Sequence, residues 1–184
     1  METHLKCKKS GQLTIYRWRK IPTHQGGFLL DGGVHFTAGL RLMLGKEAPL
    51  VTLSGHCAQL QKHLPPVDTV EATAKAKNGA LGTISLSFGT TMKGSEWTVA
   101  GEKGVVSVSG KNVTVNGETK EIQDEGNGVK PEVRKWGEAL VSGKPNARQS
   151  PEEALADLEL IEAMLRSGEQ DGKAIMLECQ DLQS

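Results

Sequence analysis

Aromatic side chains are scarce in this 184-residue chain: three Trp, one Tyr and three Phe, 4% of the total. A buried core must therefore be built mainly from Val, Leu, Ile and Ala. Net charge is also absent, because 22 Lys and Arg balance 22 Asp and Glu. That balance excludes a strongly basic nucleic-acid binder, which needs surplus cations to neutralise a phosphate backbone. Cysteine is limited to Cys7, Cys57 and Cys179, odd in number and far apart. They make no disulfide framework and point to a reducing compartment. Long apolar runs are missing too. The longest, Phe28–Leu44, is broken by Asp31, His35 and Arg41, and a membrane helix needs about 20 apolar residues. The basic start Met1–Lys9 has no apolar leader segment, so a cytoplasmic location is expected. With 37% hydrophobic residues and 22 Gly, the composition is that of a globular chain rather than a disordered one.

What is present is patterned. The first 25 residues are basic (Lys6, Lys8, Lys9, Arg17, Arg19 and Lys20 against Glu2) and hold one strand-like run, Leu13–Trp18. Leu29, Leu30, Val34, Leu40 and Leu44 then recur at helical spacing, and Gly45 closes the run. From Leu50 to Ile122 the period becomes two. Val70, Ala72, Ala74 and Ala76 alternate with Glu71, Thr73, Lys75 and Lys77 as in a half-buried strand. Asn78-Gly79 and Asn116-Gly117 are hairpin signals. Short strands are expected at Ile84–Phe88, Glu96–Ala100, Val105–Ser109, Val113–Asn116 and Glu118–Ile122. Their polar face is rich in Ser and Thr and low in charge, which leaves room for a partner.

Val129, Val133, Trp136 and Leu140 read as a further helix. Ser150-Pro151-Glu152-Glu153 marks another, with a capping Ser, Pro at the first helical position and Glu three residues after the cap. In that helix Leu155, Leu158, Ile161 and Leu165 form a stripe, and Gly168 ends it. The pattern predicts an α+β fold: an open, mostly antiparallel sheet with helices packed on one face.

Few residue groups can carry chemistry. No Gly-x-Gly-x-x-Gly fingerprint follows a strand, and no Walker-type loop occurs; Gly101-Glu-Lys-Gly104 reads as a turn between strands. No cofactor-binding residues are therefore assigned. A metal site is not expected either: His56, Cys57 and His63 lack ligand spacing, and neighbours on a strand face opposite ways. No Gly-x-Ser-x-Gly elbow is present. The remaining constellation is Gly26-Gly27-Phe-Leu-Leu-Asp31-Gly-Gly33-Val-His35. On a helix Asp31 and His35 are four residues apart and share one face. A carboxylate beside an imidazole orients it and favours its protonated form, which suits proton transfer near neutrality. Spacing alone leaves two readings open: a catalytic pair, or two groups that satisfy each other at a helix start.

The string Gly26-Gly27-x-x-x-Asp31-x-Gly33-x-His35 resembles the central motif of the glucose–fructose oxidoreductase/inositol dehydrogenase (Gfo/Idh/MocA) family. The match extends through His24–Phe36, Leu64-Pro-Pro-Val-Asp-Thr69, Ser87-Phe-Gly-Thr90, Glu102-Lys-Gly104 and Ser150–Leu158, and it looks like a fungal branch. The resemblance implies a C-terminal substrate-binding and oligomerisation domain over residues 16–184, preceded by a poorly matching basic arm, residues 1–15. It implies hydride transfer between NAD or NADP and a sugar- or cyclitol-like carbinol or carbonyl. His35 would be the general acid/base and Asp31 would hold the substrate and that histidine. Trp18 and Arg19 would line the substrate cleft. The sheet face would make a homo-oligomer, or pair with a full-length relative. The family's Rossmann fingerprint and Glu-Lys-Pro segment are not found in this sequence. The resemblance therefore places the nucleotide-binding domain, roughly 100–200 residues, outside it.

Three readings follow. The first is the catalytic half of an NAD(P)-dependent oxidoreductase, which needs a nucleotide-binding domain to be active. The second is a non-catalytic assembly module that pairs through its sheet. The third is a cofactor-independent lyase or isomerase that uses Asp31 and His35. None involves nucleic acid or a membrane.

Overall fold

The computed structural model describes residues 21–23, 26–123, 126 and 128–181. The expected strand Leu13–Trp18 lies outside them. Helix α1 spans Gly27–Leu44 and ends where Gly45 returns its N–H to the Arg41 carbonyl. Strands β1 (Leu50–Ala58), β2 (Thr69–Ala76) and β3 (Leu81–Ser87) follow. Next come β4 (Glu96–Gly101), β5 (Gly104–Ser109), β6 (Asn112–Val115) and β7 (Glu118–Glu121). Helix α2 spans Val129–Ser142, a 3-10 turn spans Ala147–Gln149, and helix α3 spans Pro151–Glu169. A two-residue strand β8, Ile175–Met176, closes the order.

The strands are antiparallel, as the alternation predicts, but they form two four-stranded sheets rather than one. The first has the order β3-β2-β1-β8 and the second β4-β5-β6-β7. Both Asn-Gly pairs make hairpins, by different turns. Asn116 (φ 52°) and Gly117 (φ 89°) form a two-residue turn with both residues left-handed. At Asn78-Gly79 only Gly79 is left-handed, and the bonds Gly79 N–H to Ala76 O (2.9 Å) and Ala76 N–H to Ala80 O (2.8 Å) close a three-residue loop.

The core lies between the first sheet and the helices. Leu53, Val70, Ala72, Ala74, Ile84 and Leu86 point inward from β1–β3, and Leu160, Ile161 and Met164 meet them from α3. Leu29 and Leu40 of α1 complete it. On α3 the sequence stripe divides: Ile161 and Leu165 are buried while Leu155 and Leu158 are exposed. The buried face is centred instead on Ala156, Leu160, Ala163 and Ser167. It is rotated because small residues let the helix sit close to β1, where the Ser167 hydroxyl accepts the Gly55 N–H at 2.8 Å. Ser150 does cap α3, accepting the Glu153 N–H at 3.2 Å. The Glu153 carboxylate is spent elsewhere, on Arg41 at 2.9 Å.

Arg41 is the buried polar centre of the helix pair. Its Nη1 also reaches Asp157 Oδ1 at 2.6 Å, and its Nε donates to Gln180 Oε1 at 3.0 Å. Burial pushes the Asp157 carboxyl above its ordinary range, and the Arg41 contacts oppose that shift. With Thr37 donating to the Asp157 carbonyl, this cluster fixes how far α1 slides along α3.

The second sheet carries Trp97, Val99, Val106, Val108, Val113 and Val115 on one face by register. Its link to α1 is aromatic. Phe36 stacks on Trp97 at 5.9 Å and 19°, and the Trp97 Nε1–H donates to the Phe36 carbonyl at 3.3 Å. Phe88 joins from the end of β3, 5.0 Å from Phe28 and 6.4 Å from Phe36. Four of the chain's seven aromatic residues are spent on this one seam.

Candidate functional site

The motif around Asp31 divides into residues that face inward and residues that face out. Gly27 opens α1 at φ +49°, with the Pro65 carbonyl packed where a side chain would stand. Only glycine combines that conformation with so close a neighbour. A Cβ at Gly32 would lie 2.7 Å from the Phe88 ring, and one at Gly33 2.9 Å from Ile161. The two mid-helix glycines cost about 1 kcal/mol each relative to Ala; the cost is met by close packing on both sides of the helix. Leu29, Gly33, Thr37 and Leu40 face the core.

Asp31 and His35 are left on the outward side, Asp31 half-buried and His35 exposed. One turn apart, their Cβ atoms stand about 5–6 Å from each other. Asp31 is engaged by a neighbour in the fold. Leu42 continues the same face, 62% exposed.

The start of α1 is held from below by the β1–β2 connection, whose Pro65 carbonyl packs against Gly27. Asp68 is fully buried and accepts the N–H groups of Leu60 (3.0 Å) and Gln61 (2.7 Å) and the Thr69 hydroxyl (2.8 Å). Gln61 Nε2 in turn donates to the Gly89 carbonyl at 2.9 Å. This knot closes the β1–β2 connection, whose Pro65-Pro66 segment meets Gly27. The available signal was Leu64-Pro-Pro-Val-Asp-Thr69, a polar residue directly before a strand, which is a common place for a backbone-capping carboxylate.

The other sequence candidates are dispersed. Trp18 and Arg19 lie outside the described residues. His56 is exposed on the outer face of β1 while Cys57 turns inward, its Sγ 3.7 Å from the Met164 carbonyl. Burial, reinforced by Glu169, pushes the Cys57 thiol up. Among the described residues no group of three or more His, Cys, Asp or Glu is placed to hold a metal ion. No described helix is long and apolar enough to cross a membrane. A dinucleotide fits poorly here as well: both described sheets are antiparallel, without the parallel strand–loop–helix crossover that cradles a pyrophosphate.

Comparison with known proteins agrees with this architecture. Dehydrogenase FPY6 of Fusarium mangiferae is 38% identical over 177 residues, which are 90% of this chain and 50% of that protein. A crystal structure of an oxidoreductase from Thermotoga maritima superposes with a TM-score of 0.83 at 30% identity, covering 96% of this chain and 52% of its own. The WlbA dehydrogenase of Bordetella pertussis, solved with NADH and UDP-GlcNAcA, shares the fold at TM-score 0.73 and 23% identity, covering 96% of this chain and 54% of its own. The chain thus spans about half the length of the relatives it matches. Residues 3–177 match the oxidoreductase family's C-terminal alpha/beta domain; the chain belongs to the Gfo/Idh/MocA family.

Proposed function

We propose that this chain is the substrate-side half of an NAD(P)-dependent oxidoreductase acting on a sugar- or cyclitol-like carbinol or carbonyl. The observation that carries the reading is the outward placement of Asp31 and His35 on a helix whose intervening glycines are all committed to packing. Oxidation of a carbinol removes a hydride from carbon and a proton from oxygen. The hydride chemistry belongs to the nicotinamide, held by a nucleotide-binding half outside these residues. The proton is assigned to this chain. The exposed His35 imidazole accepts it from the substrate hydroxyl and returns it in the reverse direction. Asp31, half-buried and fixed, orients the ring and takes a hydrogen bond from the substrate. Trp18 and Arg19 complete the cleft in this reading. The sugar class is supported by the WlbA complex.

The test fuses the first half of Dehydrogenase FPY6 ahead of this chain and follows NAD(P)-linked turnover on a panel of sugars and cyclitols. His35→Asn is expected to lower kcat about 10²–10⁴-fold with an unchanged melting curve, because the side chain is exposed. Full turnover in that variant would refute the assignment.

The outer face of the first sheet supports a second role, association with another copy. Thr52, Ser54, Thr73, Lys75, Leu81 and Thr83 line a shallow groove there of about 490 Å³, and Leu81 and Met176 stand exposed beside it. Thr73→Arg should then lower the mass in solution; an unchanged mass would remove this role.

A further inference from the structure

Helix α1 presents Asp31 and His35, and two grips set the angle at which they stand. Helix α3 holds the inward side, where a Cβ at Gly33 would lie 2.9 Å from Ile161 and one at Gly26 2.8 Å from Leu165. The second grip comes from the β1–β2 connection and the end of β3. The Pro65 carbonyl packs on Gly27, and the Phe88 ring lies against Gly32, 2.7 Å from where a Cβ would stand. Gly27 and Gly32 flank Asp31, so this grip spans the turn that carries it.

Both of its contacts trace back to one residue. The fully buried Asp68 carboxylate gathers the N–H groups of Leu60 (3.0 and 3.1 Å) and Gln61 (2.7 Å). The Gln61 carbonyl in turn accepts the Leu64 N–H at 3.0 Å, directly before Pro65. The Asp68 carbonyl accepts the Phe88 N–H at 2.8 Å. Gln61 Nε2 joins the two branches by donating to the Gly89 carbonyl at 2.9 Å. Gly89 comes so close that a Cβ there would lie 2.6 Å from Asp68 Oδ1. We infer that Asp68 is a positioning residue for Asp31 and His35: through Pro65 on Gly27 and Phe88 on Gly32 it sets how α1 presents them to substrate. This rests on the function proposed above.

The chemistry of the knot calls for a carboxylate. Leu60 N–H, Gln61 N–H and the Thr69 hydroxyl (2.8 Å) all donate to it, and an ionised carboxyl only accepts. An amide in its place would turn an NH₂ toward groups that are themselves donors and leave a buried donor unpaired. A buried carboxylate held by neutral donors is costly, and a fully satisfied polar network of this kind fixes the chain in one shape. Such rigidity matters at an acid/base site, because a displacement of about 1 Å from a remote change can cost about 10²-fold in rate.

The experiment has two arms. In the chain alone, Asp68→Asn should speed amide exchange over residues 30–36 at least tenfold, while residues 158–167 of α3 keep the parent rate. In the FPY6 fusion, Asp68→Asn should lower kcat about tenfold and leave the KM for the nicotinamide cofactor unchanged. A double-mutant cycle then separates positioning from a plain loss of folded protein. In a His35→Asn background, Asp68→Asn should cost less than twofold, because residues that act as one unit are not additive. Gln61→Ala removes only the bond to the Gly89 carbonyl and serves as the milder variant, with about a threefold loss and the same dependence on His35. Equal losses in both backgrounds, or unchanged exchange over residues 30–36, would overturn the inference and leave the functional reading intact. Full turnover in His35→Asn would overturn the functional reading itself, and the positioning role with it.

Discussion

Between Gly89 and Ala156 no described residue is buried, whereas the flanking segments supply the whole core. Both regions are made of Val-, Ala- and Leu-rich amphipathic elements. The difference lies in what faces them. Sheet β3-β2-β1-β8 has α1 and α3 laid across it, so each inward side chain meets another layer. Sheet β4-β5-β6-β7 touches the helices mainly at the Phe36–Trp97 seam, and no residue of α2 is buried. Hydrophobic patterning thus marks a face for burial without saying whether this chain supplies the cover.

The largest way to test that contrast is at the centre of the dense region. Arg41→Ala would leave the Glu153 and Asp157 carboxylates without their guanidinium, and a loss of about 3–5 kcal/mol is expected in urea unfolding. Trp97→Ala attacks the seam. It should cost about 2 kcal/mol, less than a fully buried aromatic because Trp97 is half-buried, and exchange should speed up first in β4–β7. If α1 and β1–β3 open equally, the two regions are one cooperative unit.

The third test is of pH. The Asp157 carboxyl is raised from its ordinary 3.8 chiefly by burial, so the folded state holds that proton more tightly than the unfolded chain does. Its contribution is full below that value and is lost as pH rises through the folded-state pKa. Asp157→Asn should flatten the decline, read from urea midpoints across the acid range; parallel curves for the two proteins would show no such linkage. The smallest effect belongs to Trp136→Gln. In the chain alone it should change stability by less than about 0.5 kcal/mol. A Trp136 loss matching that at Trp97 would abolish the contrast.

Much of this was legible in the residues. The α1 span, the alternation of β2, both Asn-Gly hairpins and the Ser150 cap follow from local chemistry with short reach. Asp31 and His35 could be paired because four residues on a helix is a fixed distance. Less legible were features that depend on remote neighbours. Arg41 read as an interruption in an apolar run and proves to be its anchor. Asp68 had to be seen beside Leu60 and Gln61, which a turn brings back to it. Strand β8 has two residues, too few for any period to register.

By itself the sequence determined which faces are apolar, where the helices and hairpins start and stop, and which family's motif the chain carries. These depend on residues within a turn or two of one another. Only the tertiary structure decided that the strands divide into two sheets, that Gly32 and Gly33 serve Phe88 and Ile161, and that Leu155 and Leu158 stay outside the core. Those outcomes depend on which remote surfaces meet, and contacts between distant segments leave no periodic trace along the chain.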